Sequence, residues 1–173
     1  RGTAWLSGRV PGDLVDVVSV SDDIGQQDRT CVHPQLYRRL IKPRHARLMA
    51  AIKSRTTAPV MFHTCGAVYD ILDDLIEIGV DALNPVQVSA KGMDTRTLKR
   101  EFGKDLSFWG AIDTQRVLPF GNPDDVAAEV RRRIEDLGAG GGYVLCAVHN
   151  IQADVSPENI CAMYDAARAS VRG

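Results

Sequence analysis

The sequence predicts an α/β protein built on a parallel sheet. Short Val- and Ile-rich runs alternate along the chain with amphipathic helical patterns, and strands that alternate with helices pair in parallel. Each apolar run ends in polar residues before the next helix. Gly79, Gly103 and Gly138 stand where helices should stop, and Pro34, Pro123 and Pro157 where they should start. Five βα units follow one another, and residues 1–173 read as a single domain.

Composition sets the outer bounds. The chain has 173 residues, 45% hydrophobic and 25% charged, an ordinary globular mix with enough material for one core. A net charge of -1 gives no general attraction to nucleic acid or to a membrane surface. No apolar run approaches the roughly 20 residues of a membrane span, and no signal segment is visible, which points to the cytoplasm. The start at Arg1 reads as a boundary. Cys31, Cys65, Cys146 and Cys161 are scattered, without a C-x-x-C pair, as expected of reduced thiols.

Residues 1–12 carry Gly2, Gly8, Pro11 and Gly12 and read as a loop. Leu14 to Val20 is a Val-rich strand, and residues 21–28 form a polar exit. Pro34 opens a helix whose apolar side carries Leu36, Leu40, Ile41, Leu48 and Ile52, with a kink or split expected near Lys42 from Pro43. Arg38, Arg39, Lys42, Arg44, Arg47 and Lys53 read as its solvated face. The second unit is a strand over 59–63 and a helix over 67–78 with Ile71, Leu72, Leu75 and Ile76 inward. The third is Asp81 to Leu83, then a helix over 94–102. The fourth strand is Leu106 to Ile112, with Trp109 expected in the core. Its helix opens at Asn122-Pro123-Asp124-Asp125, a cap and acidic first turn. Gly138 to Gly142 is a turn into the fifth strand, Tyr143 to Val148. The last helix begins at Ser156-Pro157-Glu158, with Cys161 expected in its buried stripe.

Two architectures fit, an open doubly wound sheet or part of a (β/α)₈ barrel. Both place sites at the carboxyl ends of strands. No G-x-G-x-x-G follows the first strand, which weakens the dinucleotide-binding sheet. A whole barrel needs about 250 residues, so this chain would be an incomplete one.

Every strand exit is polar: Asp22 and Asp23, His63 and Cys65, Asn84 and Gln87, Asp113 and Gln115, His149 and Asn150. Loops are polar in general, but His and Cys are scarce types, and three of them fall at exits. His63 and Cys65 are two apart, so in extended chain both point the same way. Imidazole and thiolate are natural Zn²⁺ ligands. A helix from Ala67 would favour the Cys65 thiolate through its N-terminal dipole. A third ligand from the fifth exit would complete a site with an open position. His149 stands at the exit. Cys146 also qualifies, although a Cys inside an apolar strand is more often a small hydrophobe.

Several stretches together resemble the uroporphyrinogen decarboxylase superfamily, in order from about residue 13 to the end: Ser21-Asp-Asp-Ile-Gly-Gln-Gln27, His63-Thr-Cys-Gly66, Leu83-Asn-Pro-Val-Gln87, Phe108-Trp-Gly-Ala-Ile-Asp-Thr-Gln115 and Val148-His-Asn-Ile-Gln152 followed by Ser156-Pro-Glu-Asn-Ile160. The resemblance implies the later portion of a TIM-type (β/α)₈ barrel. The superfamily's zinc-dependent corrinoid methyltransferases carry His-x-Cys after a mid-barrel strand, which His63 and Cys65 fit, and a third Cys after the last strand, where His149 lies nearer the matching place than Cys146. Its decarboxylases lack His-x-Cys and carry a His shortly before Pro-Glu, which His149 fits.

The resemblance therefore implies zinc on His63, Cys65 and His149, with Cys146 as the alternative third ligand, and a corrinoid methyl donor, free or on a partner protein, with a thiol acceptor. His149, Asp22 and Asp23 are the candidate catalytic groups. Asn84, Gln87, Asp113, Gln115 and Asn150 are the candidate substrate-binding groups. Metal-independent decarboxylation of a tetrapyrrole is the competing expectation. A non-catalytic half-barrel that oligomerises or recruits a missing N-terminal half is the third, since an unclosed barrel leaves open sheet edges.

Overall fold

The computed structural model describes residues 15–171. The expected loop over residues 1–12 and the expected strand start at Leu14 lie outside them. The five strands are β1 Val18–Ser21, β2 Val60–His63, β3 Ala82–Val86, β4 Ser107–Ile112 and β5 Tyr143–Ala147. They form one sheet in the order β1-β2-β3-β4-β5, every pair parallel. That order decides between the two architectures. A doubly wound sheet reverses strand order at a switch point, whereas strands added in sequence, each beside the last, form an arc of a barrel.

The helices lie on one face. In β2, Val60 and Phe62 are fully buried while Met61 and His63 are half-buried. Phe62 faces outward to the helices, its ring edge-on to His45 at 5.2 Å. By alternation, Met61 and His63 point to the opposite, inner face, with their ladder neighbours Ser19, Ser21, Ala82 and Asn84. Trp109 and Cys146 share that face. This corrects the expectation of a core Trp109: it is half-buried, on a face that the described helices leave largely uncovered.

The first helical stretch runs through α1 Pro34–Leu36, a π segment Tyr37–Ile41 and α2 Lys42–Lys53. His33 caps it, Nδ1 accepting from the amide of Gln35 at 3.2 Å. The expected break near Lys42 takes the form of this π turn. Pro43 has no N–H to give, and widening the preceding turn, with Lys42 N–H donating to Tyr37 O, absorbs the missing bond. The extra residue rotates the apolar stripe. Tyr37, His45, Met49 and Ile52 are buried, and Leu40, expected inside, is 45% exposed.

The basic face is not simply solvated. Arg38 Nε and Lys42 Nζ each reach Asp74 at 2.8 Å, and Lys53 reaches Asp81 at 2.8 Å. Asp74 lies in α3 Leu72–Glu77, which follows a 3₁₀ turn, Tyr69–Ile71. The later helices are α4 Thr95–Phe102, α5 Val117–Phe120, α6 Pro123–Gly138 and α7 Pro157–Val171. α5 has no counterpart in the sequence reading, being one turn long and containing Pro119. Cys161 in α7 is exposed, not core, because Met163 rather than Cys161 faces the sheet. Asn122 caps α6 as expected, and Asp125 makes the cap reciprocal by accepting the Asn122 amide. None of the described helices is long and apolar enough to cross a membrane.

α4 meets α6 through a buried polar cluster. The Asp136 carboxylate, 1% exposed, accepts from Thr95 Oγ1 and Arg96 Nε at 2.6 Å each. Arg133 donates to Glu129 Oε1 and to Thr95 Oγ1. Burial alone would raise the Asp136 pKa, but the bonds from Thr95 and Arg96 and the charges of Arg96 and Arg132 outweigh it and hold the group below its ordinary value. A lowered folded pKa adds stability above the unfolded value of about 3.9, lost as pH falls through the folded value. Asp136→Asn should therefore lower stability near neutral pH by about 3 kcal/mol. The deficit should shrink in acid, in denaturant titrations across the pH range. An equal deficit at every pH would contradict this.

Candidate metal centre

The centre is built on the turn that ends β2. His63 is the last residue of the strand, and the next four amides each find a separate partner. Thr64 N–H donates to Asn84 O at 2.7 Å, and Cys65 N–H to Asp23 Oδ1 at 2.9 Å. Gly66 N–H donates to Gln87 Oε1 at 2.8 Å, and Ala67 N–H to Gln26 O at 2.7 Å. The turn is thus tied to the exit of β1, to β3 itself at Asn84 and to the β3 exit at Gln87. Thr64, fully buried, returns a bond by accepting the amide of Ile24 at 3.0 Å.

Two glycines allow the approach. A Cβ on Gly25 would stand 2.3 Å from Cys65 O, and one on Gly66, at φ +93°, 2.6 Å from Gln26 O. Backbone lies against backbone here, so neither position has room for a side chain.

His63 Nδ1 and Asn84 Oδ1 are 2.6 Å apart. An amide oxygen only accepts, so Nδ1 carries the proton and Nε2 is free as a ligand atom. Cys65 Sγ lies 3.7 Å from that Nε2. His149, two residues past β5, brings its ring edge-on to His63, with centroids 6.3 Å apart and planes at 65°. One ligand atom from each of His63, Cys65 and His149 falls within 4.8 Å of the others. Zn–S near 2.3 Å and Zn–N near 2.0–2.1 Å put tetrahedral S and N ligands about 3.6 Å apart. The His63–Cys65 separation already has that length, and the donor set of two imidazoles and one thiol suits Zn²⁺.

The expected help from a helix dipole is absent. Ala67 and Val68 are not helical, and α3 begins only at Leu72. Burial raises the Cys65 thiol pKa, and the Asp23 carboxylate adds to the rise. Cys146 lines the same wall as His149 but directs Sγ to Ala147 O at 3.1 Å. It stands outside the three-residue cluster, and burial raises its pKa as well.

The other exit residues divide. Asn84, Asn150 and His149 face a cavity of about 350 Å³, lined also by His63, Ile151, Met163 and Tyr164. Asp23, Gln87 and Asp113 turn to backbone: Asp113 Oδ1 accepts the amides of Gln115 and Arg116 at 2.7 and 3.2 Å. Gln115 is exposed. Asp22 Oδ2 meets His45 Nε2 at 3.0 Å, and His45 Nδ1 meets the Tyr37 hydroxyl at 3.3 Å. Burial, then the Asp74 and Asp22 charges, push the Tyr37 pKa up, and the phenol stays protonated. Tyr37 and His45 carry no motif in the sequence, and only their place on a helix stripe hints at them.

Consecutive parallel βα units with a His/Cys cluster at the strand ends define a barrel-type α/β protein with a metal-capable mouth. Residues 13–170 match the uroporphyrinogen decarboxylase (URO-D) family model, and the chain belongs to that family. It is 25% identical over 167 residues to the uroporphyrinogen decarboxylase of Neisseria meningitidis serogroup C (strain 053442), covering 94% of this chain and 44% of that protein. It is 28% identical over 151 residues to the methylcobamide:CoM methyltransferase MtaA of Methanosarcina barkeri, covering 87% of this chain and 41% of that protein. A solved methyltransferase from Methanosarcina mazei superposes with a TM-score of 0.70 at 21% identity, over 92% of this chain and 43% of the other, a likeness of fold. The chain spans less than half the length of these relatives.

The glycine contact gives a test. Gly25→Ala should lower stability by about 1–3 kcal/mol in chemical denaturation, because Cys65 O must move. Unchanged stability would mean that the two exit turns are not in contact.

Proposed function

We propose that the chain, as one unit over residues 1–173, is the zinc-binding part of a methyltransferase that moves a methyl group from a corrinoid to a thiol. One observation carries this reading: the convergence of His63, Cys65 and His149 within 4.8 Å. Zinc bound there would supply the Lewis acidity that lowers the pKa of a coordinated thiol and keeps it nucleophilic. The chain's own residues do the rest. His63 Nε2, Cys65 Sγ and a His149 nitrogen would supply three protein donors, the number found in catalytic zinc sites. Asp23 and Gln87 hold the Cys65 turn. Asn150 and Asn84 offer polar contacts at the cavity wall. Its apolar side, Ile151 and Met163, limits water around the acceptor.

A second reading, metal-independent decarboxylation of a tetrapyrrole, is favoured by the Neisseria relatives and by His149 ahead of Ser156-Pro157-Glu158. Metal content separates the two. The purified protein should hold about one zinc per chain, and His63→Ala or Cys65→Ala should remove most of it, by elemental analysis after gel filtration. Zinc unaffected by either change, or uroporphyrinogen turnover that resists chelators, would overturn the methyltransferase reading.

A further inference from the structure

We infer that Asn84 is the positioning residue of the centre, its amide oxygen fixing the tautomer and ring plane of His63 so that Nε2, and not Nδ1, is offered to a metal. The inference rests on the zinc reading only for its consequence in affinity. The geometry stands by itself.

The Nδ1–Oδ1 contact of 2.6 Å is short, and a carboxamide oxygen has no proton to give. A neutral imidazole carries one N–H. Placing it on Nδ1 leaves the lone pair on Nε2, the nitrogen that lies 3.7 Å from Cys65 Sγ. The opposite tautomer would put an N–H at the thiol and a lone pair against a carbonyl-type oxygen. The backbones beneath ring and amide are held side by side, since His63 and Asn84 are register partners in the β2–β3 ladder. The Asn84 carbonyl also accepts the amide of Thr64, one residue past the histidine. On the other side, the His149 ring lies edge-on and limits rotation of His63. Orientation of the ligand is therefore built into a cross-strand pair, not left to the metal. Outer partners of metal-bound imidazoles change affinity by about 10–100-fold when removed.

The test uses the whole chain and the variants Asn84→Leu, which removes the acceptor, and Asn84→Asp, which keeps it. Circular dichroism first establishes that all three fold alike. Two-bond ¹H–¹⁵N correlation spectra of the metal-free proteins at mildly alkaline pH report the tautomer. His63 should be protonated on Nδ1 in the parent and in Asn84→Asp, and lose that preference in Asn84→Leu. Competition with a chromophoric chelator then reads zinc affinity. Asn84→Leu should bind about 10–100-fold more weakly, and Asn84→Asp should recover most of the loss. A parent His63 protonated on Nε2, or an Asn84→Leu protein that binds zinc as tightly as the parent, would overturn the assignment. If the parent binds no zinc, the zinc reading falls, while the tautomer spectra still decide what Asn84 does.

Discussion

Four successive backbone amides, Thr64 to Ala67, are each committed to a different acceptor, and the placement of His63 and Cys65 depends on all four. A buried amide without a partner costs about 1–3 kcal/mol, so the turn cannot shift unless several bonds break together. The acceptors come from β3 itself and from the exits of β1 and β3, on either side. The turn is thus a keystone between two loops, and the glycines at 25 and 66 let it sit there. A metal-binding pair on a free loop would have to be ordered by the ion. Here the fold has already met the cost of holding one imidazole and one thiol together.

The rest of the centre follows from barrel topology. Parallel strands in sequential order point all their carboxyl ends the same way, which brings His149 at the end of β5 toward His63 at the end of β2, although 86 residues of sequence separate them (149 − 63). The helices cover the outer face, and the inner face, with His63, Asn84, Trp109 and Cys146, is left half-exposed. Asp22, His45 and Tyr37 form a second ordered chain beside the mouth. It runs from an exposed carboxylate to a phenol with no solvent exposure.

Much of this was legible from residue types and spacing. The five units, the α6 cap and the strand-exit position of His63 all follow from local pattern. Other features were not. Leu40 reads as an inward residue only if the helix keeps its 3.6-residue period, and the π turn at Tyr37–Ile41 breaks it. Trp109 reads as core because nothing local says that the described helices leave one sheet face largely uncovered. Asp23 reads as a catalytic group, and Gln87 and Asp113 as groups for a substrate, because a polar residue at a strand exit does not announce which way it turns. For Asp113 a signal existed, since an Asp followed by two small or polar residues commonly closes an Asx turn on its own backbone. The fall of the helix-dipole argument at Cys65 has a similar origin: the sequence marks a helix after Gly66 but not the two residues of delay and the 3₁₀ turn before it.

The central claim is that two imidazoles and one thiol, drawn from two distant strand exits, share one ion. Zinc K-edge X-ray absorption on the zinc-loaded chain addresses it directly. The account predicts one sulfur at about 2.3 Å and two imidazole nitrogens at about 2.0–2.1 Å, with one light-atom ligand in the open position. A first shell without sulfur, or one with a single imidazole, would contradict it.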